Sequence, residues 1–303
     1  MYNRLTLQLL AAIAAFFVLP LFRASAHDQA ENSIQILVTY DYPDATGYIN
    51  SSGINDRGDV AGYFLQPSGH FRGFVRFADG SFSPPIVAPN DTMGITYATD
   101  INGAPTVCGE SYDSRNDAYH GFLVTDRVFT LFDIEGSGST TVAGINASGH
   151  FVGDFGPDAS TGQGYIDVDG VISTFSIPEA TSTIATAING FDMVVGNYTL
   201  ASDIYVHGFF RGAAGELTYP IDFPGSIQTG MRGINNHRVA VGTYTDSNFV
   251  THGFIFKPPA TFLSFTYPGA SYTTLGGIND RGLICGDYRD SVSIRHGFIG
   301  RIR

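Results

Sequence analysis

The sequence predicts an all-β protein, a six-bladed β-propeller whose N-terminal strand completes the last blade. Three observations carry that expectation. The pattern Gly-Ile-Asn-x-x-Gly, followed about eighteen residues later by His-Gly-Phe, recurs six times. Each unit holds up to four short runs of Val, Ile, Phe, Tyr and Thr punctuated by Gly, Asn and Asp, which are strand and turn signals. A strand-like run before the first unit has no unit of its own, and the last unit lacks a fourth strand.

The turn asparagines are Asn55, Asn102, Asn146, Asn189, Asn235 and Asn279, separated by 47, 44, 43, 46 and 44 residues. A unit repeated every ~40–50 residues indicates a solenoid, a propeller or an array. In the last unit, 271–278 reads as a first strand and Asn279-Asp280-Arg281-Gly282 as a tight turn whose residues tolerate positive φ. Residues 283–288 form a second strand and 296–299 a third, with a fourth visible in unit five at 262–267. Four antiparallel strands repeated six times is the propeller pattern. The run at 34–43 matches the fourth-strand pattern, since Tyr42-Pro43-Asp44-Ala45 parallels Tyr267-Pro268-Gly269-Ala270. Pairing it with the last unit closes the ring and leaves no open blade edge. A β-sandwich or an open solenoid is the alternative.

First strands such as Ser51-Ser52-Gly53 and Thr273 to Gly277 are built of small residues, as strands crowded round one axis require. The recurrent Ile and Phe, for example Ile54 with Phe74 and Ile278 with Phe298, are expected to fill the spaces between blades. Each such burial contributes roughly 1.5–3 kcal/mol.

Residues 1–26 read as a signal peptide: Arg4, an apolar run from Leu5 to Phe22, and Ala24-Ser25-Ala26 at a cleavage site. An uncleaved anchor is the alternative, because the run nearly spans a bilayer. Residues 27–33 are a linker and 34–303 the propeller, so a secreted or periplasmic location follows. Of 16 basic residues two lie in the leader, leaving 14 against 28 acids, a net charge of −14. Such a surface repels phosphate backbones, so nucleic acid is not expected as a partner, nor a membrane span after the leader. Cys108 and Cys285 occupy a slot that other units fill with Ala61, Val152, Val195 and Val241. Both are expected as free, buried thiols, against the alternative of a disulfide.

The units resemble the HAF repeat of predicted extracellular bacterial proteins, named for a His-Ala-Phe triplet. The triplet reads His120-Gly121-Phe122, His207-Gly208-Phe209, His252-Gly253-Phe254 and His296-Gly297-Phe298. Its companion motif is Gly53-Ile54-Asn55-Asp56-Arg57-Gly58-Asp59-Val60-Ala61-Gly62-Tyr63. The resemblance covers about residues 40–303. Arg72 and Gln163 depart from it at the His position, Tyr165 at the Phe position, and Asp100-Ile101-Asn102-Gly103 in the turn motif. It implies export and a repeat fold, and it carries no catalytic residues.

The four repeated histidines invite a metal reading, but matching positions in different blades lie too far apart to share one ion. Each imidazole is expected to tie its strand to a nearby loop. The residue after the second-strand glycine varies (Tyr63, Glu110, Asp154, Asn197, Thr243, Asp287), and the next is mostly aromatic. The loops beyond form one propeller face, the natural binding surface. Candidate ligand-binding residues there are Tyr112, Asp113, Asp117, Asn197, Tyr198, Tyr244, Asp246, Tyr288 and Asp290. Tyr rings beside carboxylates and amides suit a sugar, while the absence of Trp argues against one. No cofactor is expected. Calcium is the one ion the acidic rim could hold, although no D-x-[DN]-x-[DN]-G loop is present.

The reading is a binding or scaffold module for a polysaccharide, a peptide or an envelope protein, favoured over an enzyme. The alternative is a glycan hydrolase or lyase with Glu110, Asp154 and Asp287 as its acids.

Overall fold

A computed structural model describes residues 34–158 and 161–303, so the leader and the linker to residue 33 lie outside the described residues. The described chain is all-β, and no helix in it is long and apolar enough to cross a membrane. Six small antiparallel sheets follow one another as the blades of a six-bladed propeller.

Five blades run in order from inner to outer strand. Blade one uses Ile49–Ile54, Val60–Leu65 and Phe71–Arg76. Its fourth strand is reduced to single bridges, Arg76 to Phe82 and Gly73 to Ile86. Pro84 and Pro85 lie between them, and proline has no N–H for the ladder. Blade six uses Tyr272–Ile278, Leu283–Arg289 and Arg295–Ile302, and Ile34–Tyr40 supplies its outer strand. That strand pairs from Ile34↔Ile302 to Tyr40↔Gly297, so the chain ends close the ring as the sequence predicts.

Hydrophobic clusters span neighbouring blades. One joins Ala61 and Val75 of blade one to Ala98, Ile101, Val107 and Phe122 of blade two. Another joins Val241, Ile255 and Phe265 of blade five to Leu275, Ile284 and Phe298 of blade six. The second-strand glycine is required by close approach. A Cβ on Gly286 would meet the Thr274 carbonyl oxygen at 2.1 Å and the Phe298 ring at 2.9 Å. The third-strand Phe therefore lies flat where a side chain is missing. Cys108 and Cys285 are buried and free.

The asparagine of each turn has a different role from the one expected. Positive φ is found at the fourth turn residue in five of the six units, as at Gly282 (71°), and not at the asparagine; Pro105 holds that place in unit two. Asn279 instead accepts the Arg281 and Leu283 amides on its side-chain oxygen, at 3.0 and 2.9 Å. Its amide nitrogen donates to the Asn55 carbonyl of the next blade at 2.8 Å. The other five do the same: Asn55 to Asn102, Asn102 to Asn146, Asn146 to Asn189, Asn189 to Asn235 and Asn235 to Asn279, at 3.0–3.2 Å. Six amides thus form a closed ring of hydrogen bonds around the axis, all buried. Replacing Asn189 by Ala leaves the Phe191 and Met193 amides and the Asn235 carbonyl without this partner. The expected loss is roughly 2–4 kcal/mol. Urea unfolding checks it, and an unchanged midpoint would sink the claim that the ring stabilises the fold.

Candidate functional site

The first strand of every blade runs towards the asparagine turns, so those turns form one face and the loops between second and third strands form the other. Near the asparagine ring the axial channel holds about 130 Å³ of open space. Its lining is mostly small, as expected, with Ser52, Gly53, Thr186, Ala187, Gly276 and Gly277 among it. Units two and five break the rule. Asp100 and Arg232 line the channel where the other units place small residues.

Towards the loop face the equivalent positions diverge between blades. Between blades one and two Tyr63 packs on Tyr97 with ring centroids 4.4 Å apart, and Phe71 lies 5.5 Å from Tyr97. Tyr48 lies 6.2 Å from Tyr63. Between blades two and three, Glu110 acts on the phenols of Tyr97 and Tyr119. Burial, and secondarily Asp154, push the Glu110 carboxyl up to about 7. Burial raises Asp154 as well, against the hydrogen bond it accepts from Thr141. Between blades six and one Asp287 and Arg295 form a buried ion pair. The guanidinium of Arg295 lies 4.4 Å over the Tyr48 ring and 4.9 Å over Tyr272. Asn50 and Thr274 also donate to Asp287, at 3.3 and 2.7 Å. A bowl of half-buried tyrosines therefore surrounds the loop-face mouth over blades six, one and two. Blades four and five put Asn197, Ile184, Gly230 and Thr243 at the matching places.

The fold is shared with solved propellers. One is a fungal lectin, that of Aleuria aurantia, described as a six-bladed β-propeller with a novel fucose recognition mode. It is 9% identical, with a TM-score of 0.53 over 84% of this chain and 93% of the lectin. A putative gluconolactonase is 16% identical, with a TM-score of 0.51 over 89% of this chain and 93% of its own. TolB from Acinetobacter baumannii is 9% identical, with a TM-score of 0.54 over 81% of this chain, which spans only 65% of TolB. At these identities the likeness is one of fold. No family model and no curated protein matches the sequence.

Several sequence-predicted site residues hold the scaffold rather than face a ligand. Tyr288 stacks on Tyr267 at 3.6 Å and Tyr244 on Phe223 at 3.7 Å, both nearly parallel. Tyr198 is buried, edge-on to Tyr219 at 5.9 Å. All three were expected on the binding surface. Tyr244 and Tyr288 turn inward because strand alternation points the residue after the variable position at the segment that leads in from the preceding blade, which carries Phe223 and Tyr267. Asp113 is buried and paired with Arg115. Asp246 accepts the Asn248 and Val250 amides of its own loop, and Asp290 those of Val292 and Ile294. Tyr112 and Asp117 hydrogen-bond to each other. Asn197 clamps the Met231 backbone of the next blade through both its amide atoms.

Of the three candidate acids, Asp154 acts on Glu110 through its charge, but Asp287, in blade six, is matched to Arg295 on the adjacent strand. The histidines behave as expected. His207 bridges Asp222 and Asp203 at 2.8 and 3.2 Å, and His296 bridges Asp41 and Asp290 at 2.9 and 3.4 Å. His120 joins Asp133 to Asn116, and His252 joins Thr266 to Asp246. Among the described residues no three His, Cys, Asp or Glu side chains converge as a metal-ligand set.

Tyr48, Tyr97, Tyr119, Tyr272, Arg232 and Arg295 escaped the sequence reading. The signal existed: Tyr97 stands where other units place Asn50, Thr141, Ile184, Gly230 and Thr274, and an aromatic among small residues on an inner strand marks a break in the repeat.

The titrating groups set a pH dependence. Burial holds Asp100 and Glu110 at about 7 and raises Asp154. Folding therefore weakens as pH rises from the ordinary carboxylate range, about 4, through 7. His150 is raised by its hydrogen bond to Asp192. Burial alone would lower His207, but Asp222 and Asp203 raise it. The stabilisation from both is complete below about 6.5 and lost as pH climbs through their raised values. Asp113 is lowered by Arg115, Asp246 by the Val250 amide and Asp290 by the Ile294 amide. Their contribution is lost as pH falls below about 4. The melting temperature is expected to peak between about pH 4 and 6, with a flatter alkaline limb in Asp100→Asn. A melting temperature that rises from pH 5 to pH 8 would refute this.

Proposed function

We propose that this chain is an exported binding module that holds an oligosaccharide in the tyrosine bowl at the loop-face mouth. The export and the kinship with HAF-repeat proteins belong to the same proposal. The observation that carries it is the local break in the repeat. The asparagine ring is the same in all six units, whereas the mouth is tyrosine-rich on one side only. Tyr48, Tyr63 and Tyr97 pack on one another between blades one and two, yet each keeps part of its surface open at the mouth. Flat rings beside carboxylates, an amide and guanidinium groups suit the alternating apolar and hydroxylated faces of a sugar. The likeness to a fungal lectin described by its fucose recognition is consistent with this use of the fold.

The test is a glycan array probed with residues 27–303 and with Tyr63→Ala, Tyr97→Ala. The double variant should bind at least tenfold more weakly while remaining folded, since stacking on an aromatic ring contributes about 1 kcal/mol per ring. Equal binding by the variant, or no glycan bound by the parent, would overturn the proposal. One observation favours catalysis as a second reading: Glu110 is held near 7 beside a second carboxyl, the poise of a general acid. Cleavage of the bound glycan, abolished in Glu110→Gln, is the outcome of the same assay that favours it.

A further inference from the structure

We propose that the cleft between blades two and three, with the free strand edge beside it, receives an extended segment of a partner protein, one that carries a bulky apolar residue flanked by basic ones. The site lies on the outer flank of the ring, apart from the tyrosine bowl, so neither proposal depends on the other.

The outer strands of the two blades are Val128–Phe132 and Val171–Phe175, and each is the last strand of its sheet. Backbone groups along such an edge have no partner strand, and proteins usually blunt it with charge or proline. Neither strand holds a charged residue or a proline. Both instead expose apolar side chains, with Val128 69% and Val171 67% accessible. Between the blades lies a cleft of about 350 Å³, lined by Leu123, Thr130 and Phe132 of blade two and by Phe151, Asp167 and Asp169 of blade three. Phe132 and Phe151 meet edge-on at its wall, with ring centroids 4.8 Å apart. Strand alternation puts Val128 on the face of Thr130 and Phe132, and Ile172 pairs with Asp167. An exposed apolar residue of each blade therefore borders the cleft. Blades five and six place Leu263 and Val38 where blade two has Thr130, and both pack on apolar clusters that reach the following blade. With threonine there, blade two lacks that filling.

The edge and the cleft together define the occupant. A strand added outside Val128–Phe132 sets one residue opposite Thr130, on the same face, with its side chain at the cleft. An apolar side chain suits the walls made by Leu123, Phe132 and Phe151. The residues two places to either side of it share that face. The turns that lead into the two outer strands carry Asp126 and Asp169, both exposed, and Asp167 lies within the cleft. Against these carboxylates stands Arg127. His150 also lines the cleft, but it is bonded to Asp192 at 2.8 Å, whose carboxylate offsets its charge. Charge complementarity therefore calls for Lys or Arg beside the apolar anchor. A second copy of this chain, with a net charge of −12, would bring further acids against these.

The experiment titrates the protein with a capped seven-residue peptide that has phenylalanine at its centre, lysine two places to each side and valine or threonine elsewhere. In calorimetry at physiological salt it should bind at least tenfold more tightly than the same peptide with glutamate for lysine or serine for phenylalanine. N-methylation of one alternate set of its amides should abolish binding and of the other set should not, because only one set faces the edge. Thr130→Leu, which fills the cleft as Leu263 does in blade five, should weaken binding at least tenfold with the melting temperature kept or raised. Asp169→Asn, at an exposed turn, should weaken it less, and mainly at low salt. No binding of the lysine peptide, parent-like binding by Thr130→Leu, or equal binding of the two N-methylated peptides overturns the proposal. A dimer of the parent that Thr130→Leu dissociates would assign the cleft to a second copy and overturn it as well.

Discussion

Removing residues 34–41 is expected to destabilise the whole ring, not just one edge. The lost strand pairs along its length with Arg295–Ile302 and buries Ile34. Tyr40 hydrogen-bonds Ser51 at 2.7 Å in blade one, and Asp41 holds His296. One buried isoleucine contributes roughly 1.5–3 kcal/mol, and a ladder of this length adds a net ~0.5–1.5 kcal/mol per bond. The sum, on the order of 5 kcal/mol, rivals the total stability of about 5–15 kcal/mol typical of a domain. The exposed edge of Arg295–Ile302 would also recruit other strands. Residues 42–303 should therefore unfold at markedly lower urea and elute as larger species, and an added peptide of residues 34–41 should reverse both effects. A truncated chain as stable and as monomeric as its parent would show that the ring closes by other contacts.

Breaking the Asp287–Arg295 pair is the second large effect. Both side chains are almost fully buried, 0% and 6% exposed. Arg295→Met leaves a carboxylate in the interior with only Asn50 and Thr274 as donors. It also removes the cation from the faces of Tyr48 and Tyr272. Loss of one partner of a buried pair costs about 3–5 kcal/mol, because desolvation of the other is no longer offset. In a chain of this size that lowers the melting temperature by roughly 10 °C. Replacing both, Asp287→Leu with Arg295→Met, should recover much of the loss, since an apolar pair asks for no compensation. A double variant as damaged as the single one would show that the pair positions the tyrosines instead of merely neutralising itself.

These two effects also divide what could be read in advance. The closing strand was legible because it repeats a pattern, Tyr-Pro-x-Ala, found at the end of blade five. The ion pair was not. Asp287 reads as a candidate acid, and although Arg295 lies on the next strand of the same hairpin, no pattern along the chain marks the two as a buried pair or links them to Asn50. Asn50 stands 237 residues away, in the neighbouring blade only once the ring has closed. Tyr244 and Tyr288 show the same limit. Their spacing places them beside the loop face, but Phe223 and Tyr267, on the connections from the preceding blade, decide which way a half-polar ring turns.

The amino-acid sequence by itself determined the six units, most of their strands and the closure, because those depend on short-range alternation, turn residues and repetition; blade one's reduced outer strand is the exception. It also determined most of the histidine bridges, since those of His120, His207 and His252 span segments of at most 15 residues, whereas His296 reaches Asp41 only once the ring has closed. Only the tertiary structure decided what the repeats share and where they part. The closed amide ring needs six turns around one axis, and the tyrosine bowl needs side chains from blades six, one and two to meet. Both are contacts between residues far apart in the chain, and their geometry exists only after the inter-blade cores have packed.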